Sequence, residues 1–451
     1  MSAPPEVLIL FTRAPRPGAV KTRLIPLLGP SGAAALHRRL TEHALGAARE
    51  AAARRGARLA VVHDGAGREE MAAWLGGDLV FHPQAGGDLG GRMRAAFAFA
   101  FAAGAERAVL IGTDAPGLDA AALEEAFERL RGEEIVFAPA ADGGYALVGM
   151  TARAFRAGTP HFDPGMPWGT EGVLALSLGR LRDRGRTAGL LPTVADVDRP
   201  ADLPAAFALL GRKPGRPAIS VVLPARDEAG LLPGTIASLA GHAEVEAVLV
   251  DGGSRDETRE IAARGGLRVL PGEPPRAWQL NAGAALAEGE VLLFLHADTR
   301  LPPGYPGIVR RALAAPGVAA GAFRLGIDAR GKGLRLVERG ANLRSRLFGL
   351  PYGDQGLFLR REVFWQEGAF PPIPLLEDFA FVRRLRRRGR IALAPAAVAT
   401  SARRWLRLGL MRTWLTNQAL VAAFLAGIPP RRLAACYRRG TEPQALPATG
   451  R

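Results

Sequence analysis

The sequence predicts two α/β domains in tandem, each built on a doubly wound sheet. Continuous apolar runs, which are typical of parallel strands buried on both faces, alternate with Ala-rich helical stretches. The alternation stops at a short segment rich in Gly, Pro and charge, and then starts again. With 451 residues, the chain is also long enough to bury two hydrophobic cores.

Four apolar runs predict strands in the first domain, which we place at 1–211. They are VLILF at 7–11, LAVV at 59–62, AVLIG at 108–112 and IVFAP at 135–139. A helix is predicted over 119–131, because Asp119 can cap its N-terminus and Gly132 follows its last turn.

The segment GRKPGRP spans 211–217. It predicts a linker at 212–217, followed by a second domain at 218–440. The same rhythm returns there, with ISVVLP at 219–224, AVLVD at 247–251 and VLLFLH at 291–296. Residues 441–451 contain Pro and Gly, and we expect them to form a flexible tail.

The charge balance restricts the classes of partner. The formal net charge is +16, and arginine supplies most of the basic excess. Such a balance favours phosphates, anionic lipid or nucleic acid. Specific nucleic-acid binding is not expected, because the basic residues are not interleaved with aromatic stacking platforms.

Several features predict a cytoplasmic protein. Cys436 is the single cysteine, which excludes an intrachain disulfide and a Cys-based metal site. The N-terminus lacks a signal-peptide pattern, and no apolar run reaches the ~20 residues of a membrane span. The stretch 413–428 is apolar apart from Asn417 and Gln418. We interpret it as a packed helix or as a helix lying on the inner face of the cell membrane.

Three of the apolar runs lead into an aspartate: Asp114, Asp251 and Asp298. Ligands of open α/β sheets bind beyond the carboxyl ends of the strands. A carboxylate there can hold Mg²⁺ or Mn²⁺, and the cation in turn can hold a diphosphate. The alternative for any one of these residues is a cap on the following helix or turn.

A loop with three basic residues follows the first predicted strand. In FTRAPRPGAVKTRL, 11–24, the cations are Arg13, Lys21 and Arg23. Val20 stands where a P-loop requires glycine, so the loop is not of that type. It can still bind phosphates through backbone amides and point charges.

The second half resembles the family 2 glycosyltransferases, which have the GT-A fold. The motifs are ISVVLPARDEAGLL, VLVDGGSRDET, QLNAGAALAEGEVLLFLHADTRLP and LLEDFAFVRRLRRRG. The likeness is closest to the branch named for arsenosugar biosynthesis, which is similar to bacterial carotenoid-acid glycosyltransferases. It implies that Pro224, Glu228 and Asp251 bind the donor and that Asp298 binds a metal. His296 replaces the first acid of the usual Asp-x-Asp, and it is expected to be either a second metal ligand or only a neighbour of the metal site.

The same resemblance assigns roles near the C-terminus. Asp378 is the expected base that deprotonates the acceptor in an inverting transfer, with Glu377 as its rival. Arg403 and Arg404 in TSARRW are expected to contact the donor diphosphate. The segment GDQG, 353–356, resembles a family segment near the acceptor, although a tight turn also explains its glycines.

The first half resembles nucleotidyltransferase-like proteins of the DUF2064 type, associated with the arsenosugar-type transferases. They are similar to molybdopterin and phospholactate guanylyltransferases and share a GT-A-like fold. The motifs IGTDAPGL, APAADGGYALVGM, PWGT and VADVDRPADL lie within 6–208. The resemblance implies that the three loop cations bind nucleotide phosphates and that Asp114 binds a metal. Asp142 or Asp198 would supply a second carboxylate.

Together these features predict α/β architecture with two GT-A-like domains. The expected function is a Mg²⁺- or Mn²⁺-dependent transfer of sugar from a nucleotide-sugar donor to a small or lipid-like acceptor. The first domain is expected to bind a nucleoside triphosphate and to act as a nucleotidyltransferase. The alternatives are an inactive, regulatory nucleotide-binding first domain, or a membrane-associated carotenoid-acid glycosyltransferase.

Overall fold

Residues 5–210 and 218–441 are described in the computed structural model. They form two compact units. One holds the described residues up to Leu24 and from 33 to 210, and the other holds 25–32 and the described residues from 218 onward. The predicted linker at 212–217, and the predicted tail beyond residue 441, lie outside the described residues.

The elements up to residue 210 alternate between strand and helix. They are β1 (Glu6–Arg13), α1 (Ile25–Arg55), β2 (Arg58–Asp64), α2 (Arg68–Leu75), β3 (Val80–Pro83), α3 (Leu89–Ala102), β4 (Arg107–Ile111), α4 (Ala120–Arg129), β5 (Ile135–Pro139), β6 (Tyr145–Thr151), α5 (Ala152–Arg156), α6 (Val173–Arg182), β7 (Gly189–Leu190) and α7 (Leu203–Leu210).

The first sheet has the order β3-β2-β1-β4-β6-β5-β7, with β6 antiparallel to both of its neighbours. Both faces of the sheet are covered. In β1, Leu8 and Leu10 enter one hydrophobic cluster, whereas Val7 and Ile9 enter another. A strand buried on both faces has no polar side, which explains its continuous apolar sequence.

The second unit continues the alternation. Its elements are β8 (Ile219–Ala225), α8 (Leu232–Leu239), β9 (Val245–Asp251), α9 (Thr258–Arg264), β10 (Arg268–Pro271), α10 (Arg276–Leu286), β11 (Val291–Phe294), β12 (Thr299–Arg300), α11 (Tyr305–Ala314), β13 (Val318–Ile327), α12 (Lys332–Phe348), β14 (Leu357–Arg360), α13 (Arg361–Gln366), α14 (Glu377–Arg388), β15 (Arg390–Thr400), α15 (Arg403–Leu408), α16 (Leu410–Leu425) and α17 (Pro430–Thr441).

The second sheet begins in the same way as the first. Its order is β10-β9-β8-β11-β14-β13-β15-β12. The first four strands are parallel, and β14 then pairs antiparallel with β11, as β6 does with β4. The predicted α/β class, with two GT-A-like doubly wound domains, is therefore confirmed. Among the described residues, every helix is too short or too polar to cross a bilayer.

The structure corrects some predicted details. The strand predicted over 291–296 ends at Phe294, where its pairing with β14 stops at Leu357. The helix predicted over 119–131 spans 120–129, and Asp119 caps it by accepting a hydrogen bond from the Ala122 amide. The antiparallel strands β6 and β14 were not predicted, because an apolar run shows that a strand is buried but not its direction.

Candidate active sites

A pocket of about 600 Å³ lies in the first unit, beside the ends of β1 and β4. The loop that follows β1 forms one wall, and the segment 112–114 after β4 forms another. Five of the predicted residues line it: Arg13, Lys21, Arg23, Asp114 and Asp198. The strand ends therefore place these residues in one pocket, as expected for an open α/β sheet.

Lys21 lies between the two carboxylates of this pocket. Its side chain is 4% exposed, and its Nζ is 2.7 Å from Asp114 Oδ1 and 3.6 Å from Asp198 Oδ1. The same ammonium donates to the backbone carbonyl oxygen of Val197 at 2.6 Å. Lys21 has a φ of 48°, a left-handed conformation that costs a non-glycine residue roughly 1 kcal/mol or more. The loop thus holds a buried ammonium among three oxygen atoms.

The other two cations are closer to solvent. Arg23 donates to Asp198 Oδ2 at 2.6 Å, and Arg13 Nε lies 3.3 Å from Asp64 Oδ2. Their side chains are 55% and 48% exposed. An incoming phosphate can therefore reach both guanidinium groups, although each must exchange a carboxylate partner for it.

His37 also lines this pocket, although it belongs to none of the sequence motifs and was not predicted as a site residue. Its Nε2 donates to the carbonyl oxygen of Arg13 at 3.0 Å. Burial lowers the pKa of His37, so its ring is neutral at neutral pH. The histidine fixes the backbone of β1 at the point where the basic loop begins.

Asp142 does not line this pocket. It lies on a neighbouring acidic hollow of about 570 Å³ with Glu171, Asp196 and Asp202. Its Oδ1 accepts from the Gly144 amide at 2.8 Å, and Gly143 has a φ of 87°. A side chain at Gly143 would clash with the Glu171 carbonyl oxygen, so the DGG segment forms a close-packed turn. Burial, and then Asp142, raise the pKa of Asp196.

The first pocket also has apolar lining. It is supplied by Phe11, Leu89, Met93, Leu110, Val148 and Tyr145. Arg92 lines the same pocket and donates to Gln84 Oε1 at 3.2 Å. The pocket therefore combines charged and apolar lining, a combination that can take the phosphates and the flat base of a nucleotide.

A second cleft, of about 420 Å³, lies in the second unit. Five of the predicted residues line it: His296, Asp298, Glu377, Asp378 and Arg404. The turn after β11 supplies the first two, and the first turn of α14 supplies the two acids of the Glu377–Asp378 pair. Leu376, with a φ of 63°, ends the preceding loop in a left-handed conformation and directs the chain into α14.

The two acids at the start of α14 have different environments. Glu377 is 3% exposed, and its Oε1 accepts from Arg276 Nε at 2.6 Å. Asp378 is half-buried, and its Oδ2 accepts from the Gly353 amide at 2.7 Å. Glu377 is thus paired with Arg276, whereas Asp378 lines the cleft and accepts from two backbone amides, those of Gly353 and Phe379.

His296 is held by the same arginine. Arg276 Nη1 lies 3.2 Å from His296 Nε2, and because a guanidinium can only donate, Nε2 is the acceptor. Burial, and then Arg276, lower the pKa of His296 to about 3. The ring is therefore neutral, and the lone pair that would ligate a metal through Nε2 is engaged by Arg276.

Asp298 has little compensation for its burial. Its Oδ1 accepts from the Thr299 hydroxyl at 3.3 Å. Burial raises the pKa of Asp298, although Arg403 acts in the opposite direction. Among residues 218–441, the structure gives no cation within ion-pair distance of this carboxylate. Because no neighbouring cation balances its negative charge, the Asp298 carboxylate can attract a cation from solution.

Of the predicted donor contacts, Arg404 lines this cleft, whereas Pro224, Glu228, Asp251 and Arg403 do not. Arg403 donates to Glu228 Oε1 at 2.6 Å, and burial raises the pKa of Glu228. Arg404 Nη2 donates to Asn417 Oδ1 at 3.0 Å. Asp251 is 3% exposed and accepts from the Ser254 amide at 3.1 Å. Pro224 lines a small hollow with Arg276, His296 and Asp378.

Asp354 is a cleft residue to which the sequence assigned no role of its own. It lies in the GDQG segment, whose Gly356 has a φ of 61°. Burial raises the pKa of Asp354, and the nearby Asp378 contributes in the same direction. The turn thus supplies both the amide that holds Asp378 and a further acid beside it.

In both sheets, acidic residues follow the parallel strands, as in GT-A-like folds. The comparisons with known families agree with this fold class. Residues 220–368 match the model described as glycosyl transferase family 2, and residues 47–170 match DUF2064, described as an uncharacterized protein conserved in bacteria. The chain therefore joins a DUF2064 region to a family 2 glycosyltransferase region.

Solved structures show further similarity. A putative nucleotide-diphospho-sugar transferase from Desulfovibrio desulfuricans G20 is 32% identical over 46% of this chain and 89% of its own, with a TM-score of 0.42. Mannosyltransferase PcManGT from Pyrobaculum calidifontis, in complex with GDP-Man and Mn²⁺, is 18% identical over 53% and 77%, with a TM-score of 0.34. S. aureus TarS 1–349, in complex with UDP-GlcNAc, is 18% identical over 41% and 58%, with a TM-score of 0.32.

Proposed function

We propose that the second unit transfers a sugar from a nucleotide-sugar donor to an acceptor in the cleft between Asp298 and Asp378. One observation carries the proposal: the two carboxylates line the same cleft, one on the turn after β11 and the other at the start of α14. The family 2 match over 220–368 supports a glycosyltransferase. We also propose that this glycosyltransferase belongs to the arsenosugar or carotenoid-acid branch.

Asp298 is the proposed metal ligand. Its carboxylate fits a hard cation, because it is buried, has a raised pKa and accepts one long hydrogen bond from Thr299. Mg²⁺ or Mn²⁺ bound there would neutralise the diphosphate of the donor as it leaves. Since one carboxylate satisfies little of the coordination of Mg²⁺, donor phosphates and water would supply the other ligands.

Asp378 is the proposed base. It faces the cleft, whereas Glu377 is bound to Arg276 and is therefore the poorer candidate. A carboxylate at a helix N-terminus is stabilised by the helix dipole and can accept the proton of an attacking hydroxyl. Direct attack, with inversion at the anomeric carbon, follows if no other side chain intervenes as a nucleophile.

The apolar lining of the cleft suits an acceptor with an apolar part. Trp405, Leu420, Val421 and Tyr437 are part of that lining. A small aromatic or lipid-like alcohol would pack there, with its hydroxyl directed at Asp378. Glu228, Asp251, Arg403 and Arg404 are the proposed donor contacts.

The test is donor turnover by the full chain. Purified protein with Mn²⁺ and a panel of nucleotide sugars should release nucleoside diphosphate when a cell extract supplies acceptors. Mass spectrometry of the extract should then show a product heavier by one sugar. Absence of nucleoside diphosphate release across the panel would refute the transferase proposal.

For the first unit, we propose nucleotide binding, with phosphates at Arg13, Lys21 and Arg23 and a metal at Asp114 and Asp198. A nucleotidyltransferase and a regulatory nucleotide-binding module are both consistent with this site. The regulatory alternative is favoured by Lys21 and Arg23, which already pair with the two carboxylates. Full-length Asp378→Asn protein should be incubated with nucleoside triphosphates and sugar phosphates. Pyrophosphate release would indicate the enzyme, and binding without release the regulatory module.

A further inference from the structure

We propose that α12, α15 and α16 together form a surface that docks on an anionic lipid bilayer. The proposal does not rest on the chemistry of the cleft. It rests on where this protein exposes large apolar side chains. Thirteen such side chains are exposed among the described residues, and ten of them fall between Leu336 and Ile428.

Helix α12 presents one of the exposed apolar faces. Leu336, Leu343 and Leu347 are 70%, 56% and 64% exposed. Their spacing of seven and four residues places them on one side of a helix. Leu334 and Ser345, which are 2% and 3% exposed, occupy the other side. The helix therefore buries one face in the protein and leaves a leucine face in solvent.

Helices α15 and α16 repeat this arrangement. Leu406 and Met411 are both 69% exposed, and Trp414, Leu415 and Leu425 are 45%, 52% and 55% exposed. The α16 residues Met411, Leu415 and Leu425 share one helical face. The flank of α16 that carries Leu420 and Val421 lines the cleft instead.

The three helices pack on one small cluster through their buried sides. Leu334 of α12 lies in a cluster with Leu325, Ile327 and Ala402. Trp405 of α15 and Leu410 of α16 pack against that cluster. From this shared cluster we infer that the exposed faces of the three helices form one surface, and we call it the docking surface.

The charge of these helices identifies the occupant. Residues 332–348 carry one lysine and four arginines against the single acid Glu338, which is paired with Arg335. Residues 403–425, which contain α15 and α16, carry four arginines and no Asp or Glu. Helices that expose leucine and tryptophan among arginines are typical of proteins lying in the interface of an anionic membrane.

A second copy of the chain would cover the apolar side chains but not satisfy the charge. Two docking surfaces in contact would place the same arginines opposite each other, in a contact that excludes water. An anionic bilayer satisfies both features, because acyl chains receive the leucines and lipid phosphates receive the arginines. If the proposed transfer is correct, α16 would also bring the cleft close to an acceptor carried by a lipid.

Vesicle sedimentation of the full chain tests the docking surface. Wild-type protein should sediment with vesicles of phosphatidylcholine and phosphatidylglycerol, and stay in solution with phosphatidylcholine alone. The Leu343→Glu/Leu347→Glu variant should lose binding by roughly tenfold or more, because two carboxylates enter the apolar face. The control is Leu176→Glu, at an exposed leucine of α6 in the first unit, and it should bind like wild type. Circular dichroism checks that each variant folds.

Three results would overturn the proposal. One is failure of the wild type to bind anionic vesicles. Another is equal binding by the wild type and the double glutamate variant. The last is self-association without lipid, in analytical ultracentrifugation, that the glutamate variant abolishes, since this would assign the surface to a second copy. Loss of vesicle binding with unchanged nucleoside diphosphate release on a water-soluble acceptor would separate docking from the proposed chemistry.

Discussion

The two acidic sites differ in how their carboxylates are neutralised. In the first unit, the ammonium of Lys21 contacts Asp114 and lies 3.6 Å from Asp198. In the second unit, Asp298 has a hydroxyl partner and a raised pKa. The same sheet order thus supports a site whose carboxylates lie beside an internal ammonium and a site whose proposed metal ligand lies beside a hydroxyl. The first site contains its own cation, whereas the second can take one from solution.

Replacing Asp298 should have the largest effect on this comparison. Asp298→Asn removes the carboxylate proposed to hold the metal, and sugar transfer should fall by roughly 10³-fold or more. Mn²⁺ titration by electron paramagnetic resonance should show a matching loss of affinity. The control is Asp328→Asn, an exposed acid paired with Arg300, which should remain active. Full activity of Asp298→Asn would remove this residue from the metal site.

Replacing the acids of α14 separates the proposed base from its neighbour. Asp378→Asn should lower kcat by about 10²–10⁴-fold, as expected for loss of a general base. Glu377→Gln should cost less in kcat but more in thermal stability, because Arg276 then loses its buried partner. Steady-state kinetics and thermal unfolding of both variants give the answer. The reverse ranking in kcat would make Glu377 the base.

Lys21→Met tests the internal cation of the first unit. The variant leaves Asp114 and Asp198 without their ammonium, so the free energy of unfolding should fall by about 2 kcal/mol. That is less than a fully buried pair would lose, since Asp114 is 52% exposed. Mn²⁺ should restore the variant more than it stabilises the wild type, because the metal replaces the ammonium. Absence of stabilisation of the variant by Mn²⁺ would show that the carboxylates do not bind the metal.

The last prediction concerns the buried His161 of the first unit and the pH dependence of the free energy of unfolding. Burial lowers the pKa of His161 to about 3, below the ~6.5 of an unfolded chain. The unfolded state therefore binds more protons between these values, so stability is complete above about pH 6.5 and is lost as the pH falls towards 3. Between pH 6 and 4, wild type should lose about 2 kcal/mol more than His161→Phe. Denaturant titrations at both pH values measure the difference, and identical losses would contradict it.

The sequence predicted more of the first site than of the second. Strand ends are local signals, so the apolar runs located Asp114 and Asp298 without knowledge of the fold. Arg276 could not be found in this way, because it pairs with Glu377 across 101 residues of sequence. The left-handed backbone of Leu376 was equally hidden, since leucine does not favour that conformation. The long-range ion pair and the left-handed backbone conformation are therefore the features that could not be predicted from the sequence.

The amide of Gly353 has a consequence for selectivity. It donates to Asp378 and lies next to Asp354, so one short turn both borders the cleft and orients the proposed base. A methyl group at position 353 would stand 2.9 Å from Asp378 Oδ2 and 3.2 Å from His296 Nε2, which leaves the turn little freedom to move. An alcohol that displaces this turn would misalign the proton acceptor even while it stays bound. Discrimination among alcohols would then show in turnover number more than in affinity.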